Sequence, residues 1–134
     1  MVSDVHGSVA DLARAADGAD ALICLGDLVL FLDYERPARG VFGELFGEDH
    51  ARTFVDLRTA GRFDEARAFT SALWAARGDD RSTTVLDAVR RQYADTFAAM
   101  PTPAFLTYGN VDVPHLWPEF ARAGHTVLDG EVVE

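Results

Sequence analysis

The stretch VSDVHGSVADLARAADGADALICLGD, residues 2–27, decides how the chain is read. Its two ends are short and apolar, and its middle has a helical period. Ser8 opens the middle with Asp11 three residues on, the spacing of a capping box with Asp in place of the usual Glu. Leu12, Ala15 and Ala16 fall on one face, and Gly18 stops the run, so the pattern predicts a helix over 8–17. DALICLGD (20–27) is a short apolar run bounded by turn residues and predicts a buried strand. Val2 leads a first strand. Strand, helix, strand implies a parallel sheet in an α/β protein, joined by a right-handed crossover.

Beyond Asp27 the alternation stops. LVLFLDY (28–34) is apolar, and ERPARGVFGELFGEDH (35–50) predicts a long loop with a turn of helix around 41–46. Three helices follow, in HARTFVDLRTAG (50–61), FDEARAFTSALWAARG (63–78) and STTVLDAVRRQYADTFAAM (82–100). Phe63, Ala66, Phe69, Leu73 and Trp74 stripe the second. Leu86, Val89, Tyr93 and Phe97 stripe the third, with Ser82 as its cap. Both stripes are expected in the core. Pro101 and Pro103 close the region. AFLTYGN (104–110) predicts a strand running into a glycine turn. VPHLWPEFARAG (113–124) predicts a short helix with Pro118 near its first turn and Gly124 after its end. HTVLDG (125–130) predicts another strand, and EVVE (131–134) the start of a further one.

Composition bounds the possibilities. The 134 residues suit one domain, and 49% hydrophobic with 25% charged is ordinary for a soluble globular chain. No apolar run reaches the ~18 residues of a membrane span. The first residues lack a basic, then apolar, secretory pattern, so a cytoplasmic location is expected. A net charge of −10 argues against a nucleic-acid grip through a basic surface. A phosphate substrate stays open, because bound divalent cations reverse the sign locally. Cys24 is the single cysteine and cannot form an internal disulfide. Within ALICLG it reads as a small buried hydrophobe, with no basic neighbour to make it reactive.

Each strong strand ends in residues able to hold a metal: Asp4 and His6, then Gly26–Asp27, then GNVD at 109–112. The carboxyl ends of parallel strands share one edge, where ligands bind. That brings Asp4, His6, Asp27 and Asn110 toward one site. The mixed carboxylate, imidazole and amide set suits Mn²⁺, Fe or Zn²⁺ better than Ca²⁺, with Mn²⁺ favoured. Singly, each piece also reads as ordinary turn or capping chemistry. Their combination in order carries the reading.

D-x-H at 4–6, GD at 26–27 and GN-x-D at 109–112 together resemble the calcineurin-like metallophosphoesterases. The resemblance implies an α/β fold, a β-sheet sandwich flanked by helices, incomplete here, with a helical insertion at about 35–100 that would serve as a lid or a substrate-selecting cap. It implies two divalent metal ions. Asp4 and His6 would hold the first, Asp27 would bridge both, and Asn110 would hold the second and touch the substrate phosphate. Asp112 would stand just behind these ligands, and Asn110 and Asp112 are the catalytic candidates.

The chain departs from that pattern in three ways. Val111 replaces the histidine that follows the asparagine and is thought to protonate the leaving group. His115 is the nearest substitute in sequence. No GH-x-H motif follows Asp112: His125 begins a predicted strand, and His50 is expected on the surface. Only Met1, Val2 and Ser3 precede Asp4, where a strand normally has about five or six residues. Residues 1–134 are therefore expected to be a partial copy of the family domain. The expected activity is metal-dependent phosphoester hydrolysis, leaning to phosphodiesters, with a dinuclear centre activating water against a small substrate. The alternative is a non-catalytic module that binds a protein partner through its helical insertion. An aspartate-nucleophile phosphatase is disfavoured, since His6 stands where that chemistry wants a second carboxylate.

Overall fold

Three short strands, β1 (Leu22–Cys24), β2 (Ala104–Leu106) and β3 (His125–Val127), form a parallel sheet in the order β1-β2-β3. The computed structural model describes residues 1–128; the expected EVVE strand and the end of HTVLDG lie outside the described residues. The register sets Leu22 beside Ala104 and Ala104 beside His125. Leu22, Cys24, Ala104 and Leu106 are all at most 2% exposed, while Ile23 is 43% exposed, the period-two alternation of a sheet with one covered face. The fold is thus mixed α/β, a small parallel sheet flanked by helices. Among the described residues the strands form this one sheet.

The expected first strand is reduced to a single bridge between Val2 and Cys24. Val2 donates to the Ile23 carbonyl at 2.8 Å and accepts from the Leu25 amide at 2.8 Å. The ladder stops because Asp4 has φ 53°, outside strand geometry. The chain then turns into helix α1 (Val9–Ala15), which buries Leu12. No side chain caps its backbone; the Ser8 hydroxyl donates to the Asp11 carboxylate and accepts no amide of the first turn.

The chain divides into two compact units, Met1–Val29 with the chain from Arg90 onward, and Leu30–Val89. The first holds the sheet. Its core adds Tyr93, Phe97 and Met100 from helix α5 (Arg81–Ala99), which runs through both units, and Leu116 and Trp117 from a 3-10 helix (Pro114–Glu119). Phe97 packs edge-on to Trp117 at 5.7 Å and to Tyr93 at 6.0 Å. The helix expected over 113–124 is this shorter 3-10 turn, and Pro118 lies inside it rather than near its start. Two prolines four positions apart deny the backbone the donors a longer helix needs.

The second unit contains α2 (Gly40–Phe46), α3 (Glu48–Thr59) and α4 (Phe63–Arg77). Val41, Ala51, Val55 and Ala66 are buried. Phe42 stacks on Phe54 at 4.6 Å, and Phe46 meets Trp74 edge-on at 4.9 Å. A Cβ on Gly43 would lie 2.4 Å from the Pro37 carbonyl, so this turn of helix needs glycine. The stripe on α4 is core only in part: Phe69, Leu73 and Trp74 are half-buried and Phe63 is 56% exposed. Phe63 opens its helix and sits beneath the Arg58 guanidinium at 6.0 Å. The cap of α5 is Asp80 and not Ser82, because the helix begins at Arg81, two residues before the start that a Ser82 cap implies. The Asp80 carboxylate accepts the Thr83 amide at 2.8 Å, which holds its pKa below the usual carboxylate value. Among the described residues, no helix is long and apolar enough to cross a membrane.

Candidate metal centre

The chain leaves β1 through Gly26 and Asp27 and leaves β2 through Gly109 and Asn110. These two turns touch backbone to backbone. A Cβ on Gly26 would lie 2.2 Å from the Gly109 nitrogen, and one on Gly109 would lie 2.1 Å from Asp27 Oδ1. Only glycine at both positions permits this approach. The D-x-H turn joins them through the His6 amide, which donates to the Asp27 carbonyl at 2.9 Å, and the Gly7 amide, which donates to Leu28 at 2.9 Å. The three sequence-predicted loops therefore meet at one edge of the sheet, within the first unit.

His6 Nδ1 lies 3.0 Å from the Val29 carbonyl. A carbonyl only accepts, so Nδ1 is the donor, and in the tautomer this selects the lone pair is on Nε2. Nε2 faces Asp4 Oδ1 at 3.7 Å, with the two side chains 40% and 67% exposed. A lone pair and a carboxylate oxygen held face to face want a proton or a cation between them. Ser3 fixes the other oxygen of Asp4 with a 2.8 Å hydrogen bond. The carbonyl on the second ring nitrogen fixes the ring's orientation, as an outer partner does, and leaves Asp4 and His6 as two donors side by side.

The backbone under these residues is unusual. Among the described residues the non-glycine positions with positive φ are Asp4 (53°), His6 (42°) and Asp27 (54°). Each such position costs on the order of 1–3 kcal/mol and persists only where the surroundings impose it. The strain falls on the expected ligands and on no other non-glycine residue described.

Asp112 does different work. Its Oδ2 accepts the Asp27 amide at 2.7 Å and the Gly109 amide at 3.0 Å. Its Oδ1 accepts the Leu28 amide at 2.9 Å and the Tyr93 hydroxyl at 3.3 Å. Both oxygens are committed to holding the two turns together. Asn110 is exposed in the turn between Gly109 and Val111, and the Val111 amide points to Asp27 Oδ1 at 3.4 Å.

The fit to a metal is that of a half-site. Asp4 and His6 offer an oxygen and a nitrogen donor side by side, beside the turn that carries Asp27. Among the described residues, no group of three or more His, Cys, Asp or Glu side chains gathers closely enough to hold a metal ion. The full expected set of Asp4, His6, Asp27 and Asn110 is thus brought to one edge without closing into a cage.

The other histidines stand elsewhere. His115 is exposed on the 3-10 helix. His125 opens β3, its ring 5.7 Å from Phe97, and burial pushes its pKa below the usual histidine value. His50 is exposed on α3 with Nδ1 2.8 Å from the Phe46 carbonyl. Cys24 is 1% exposed, and burial pushes its thiol pKa up, which suits an inert core residue. Tyr93 reads from the sequence as one more member of an apolar stripe. The signal for a larger role was a phenol in a stripe continued by Phe97, since buried tyrosine hydroxyls find partners. No protein-family model, no curated protein and no solved structure matches the chain.

Proposed function

We propose that the strand-end loops hold divalent cations and that the protein hydrolyses phosphoesters, with a preference for phosphodiesters. The observation that carries this reading is the left-handed backbone at Asp4, His6 and Asp27. Strain collected on three adjacent potential ligands, and spared elsewhere, is the mark of a functional site. It stands beside the resemblance of D-x-H, GD and GN-x-D to the calcineurin-like metallophosphoesterases, whose two-sheet architecture is the finer fold we propose.

In this reading Asp4 and His6 Nε2 would hold one cation, Asp27 would be shared with a second, and Asn110 would help hold the second and orient the phosphate. Val29 keeps His6 in the tautomer with Nε2 free. Asp112 fixes the turns and stays out of the reaction. When bound, a pair of divalent ions such as Mn²⁺ supplies charge neutralisation at phosphorus and a more acidic water. The cations are needed even for binding, because a chain of net charge −10 otherwise repels a phosphate anion. Val111 has no proton to offer a leaving group. A missing general acid lowers rates by about 10²–10⁴-fold, so the substrates best served are those with good leaving groups.

The test is hydrolysis of an aryl phosphodiester with and without Mn²⁺. Stimulation by Mn²⁺ in the wild type and its loss in Asp27→Ala support the proposal. A folded wild-type protein with no Mn²⁺-stimulated turnover sinks it.

A further inference from the structure

We infer that Tyr93, a residue of α5 remote in sequence from every expected ligand, is a positioning residue that sets the cation affinity of the strand-end loops by holding Asp112. The inference rests on the metal reading above and adds a residue that the motifs do not contain.

The argument follows one chain of contacts. The Tyr93 ring is fully buried and wedged among Phe97 at 6.0 Å, Trp117 at 6.3 Å and Phe120 at 6.1 Å. That packing leaves the hydroxyl little freedom. The hydroxyl accepts the Val113 amide at 2.7 Å and donates to Asp112 Oδ1 at 3.3 Å, so it grips two successive residues at the exit of the GNVD turn. Asp112 in turn grips the amides of Asp27, Leu28 and Gly109. The left-handed conformation of Asp27 is therefore held by its own amide's bond to Asp112, and Asp112 is held by Tyr93. Burial pushes the phenol's pKa up to about 12, so the hydroxyl keeps its donor proton across the working pH range. Tyr93 reaches the Asp27 turn through Asp112, and its second bond, from the Val113 amide, fixes the same exit of the GNVD turn.

Removing the hydroxyl loosens the carboxylate that aligns both turns. A site whose ligands must be held within fractions of an ångström loses affinity when that support goes; outer partners of this kind typically account for about 10–100-fold in metal binding.

The experiment compares wild type, Tyr93→Phe, Asp112→Asn and the double variant in the full chain. Mn²⁺ titration is read by the EPR signal of free Mn²⁺, and peptide-level hydrogen exchange is read over 26–28 and 109–113. Tyr93→Phe is expected to weaken Mn²⁺ binding about tenfold and to speed exchange in both turns. The double variant is expected to lose no more than Asp112→Asn alone, since both act through one link. Val55→Ala, a core change on α3 in the second unit, is expected to lower the melting temperature while leaving Mn²⁺ affinity unchanged. Wild-type binding with unchanged affinity in Tyr93→Phe, or with losses that add in the double variant, overturns this inference and leaves the proposed function standing. Failure of the folded wild type to bind Mn²⁺ overturns the functional reading, and this inference falls with it.

Discussion

Asp112 Oδ2 accepts the backbone amide of Asp27 at 2.7 Å. One carboxylate from the third predicted loop thus dictates the backbone of the second. With Leu28, Gly109 and Tyr93 as further donors, it joins the exits of β1 and β2 into one rigid edge. Everything expected of the site depends on that joint.

Asp112→Ala leaves three backbone amides and a phenol without their acceptor. Hydrogen bonds to a charged group contribute about 1.5–3 kcal/mol each, with strong overlap among them, so a loss of about 3 kcal/mol or more is expected in urea unfolding. A loss below about 1 kcal/mol means that water replaces the carboxylate and that the joint is weak.

Gly109→Ala is expected to be far worse than Gly78→Ala. The new methyl at 109 would lie 2.1 Å from Asp27 Oδ1, whereas Gly78, left-handed with φ 75°, has nothing within 4 Å of a built Cβ. The first is a collision that must move the Asp27 turn and is expected to cost about 2–4 kcal/mol. The second pays only for its backbone angle, about 1 kcal/mol. Chemical denaturation of both variants reads the contrast directly, and equal costs contradict the close approach.

Asp4→Gly separates stability from function. Glycine adopts φ 53° without the steric penalty borne by Asp4, and the Asp4 side chain is largely exposed. Relief of strain offsets glycine's greater chain entropy, so stability is expected to stay level or rise by up to about 1 kcal/mol. Mn²⁺ binding is expected to vanish. Gain in one with loss in the other is the trade-off of a strained functional residue; a destabilised variant that still binds Mn²⁺ contradicts it.

His125 predicts an acid-side dependence. Burial lowers its folded pKa, so the unfolded chain binds the proton more readily. Stability contributed by the neutral ring is complete above the ordinary histidine pKa of about 6.5 and declines as pH falls from there toward the lowered folded value. Melting temperatures between about pH 5 and 7.5 should fall more steeply with acidification in wild type than in His125→Phe. Parallel curves contradict this assignment.

Much of the sheet was legible because Gly26–Asp27 and Gly109–Asn110 punctuate apolar runs at strand ends, and parallel topology follows from the intervening helices. The joint between the turns was not, because it depends on a hydrogen bond from Tyr93 that a hydrophobic pattern counts only as burial. The first strand is shorter than Val2 and Ser3 suggest, because left-handed backbone at Asp4 ends the pairing after one bridge. At α5 the cap moved from Ser82 to Asp80 because either residue can serve, and the amide that is reached decides. The gathering of Asp4 and His6 with the Asp27 turn followed from spacing, whereas how tightly the four expected ligands close is a matter of backbone angles that spacing does not carry.

The most direct measurement is the Mn²⁺ stoichiometry of the purified wild-type protein after loading and desalting, beside Asp27→Ala treated identically. The account predicts Mn²⁺ retained by the wild type and lost from Asp27→Ala, with both proteins folded by circular dichroism. A folded wild-type protein that retains none, or an Asp27→Ala variant that retains as much, contradicts it.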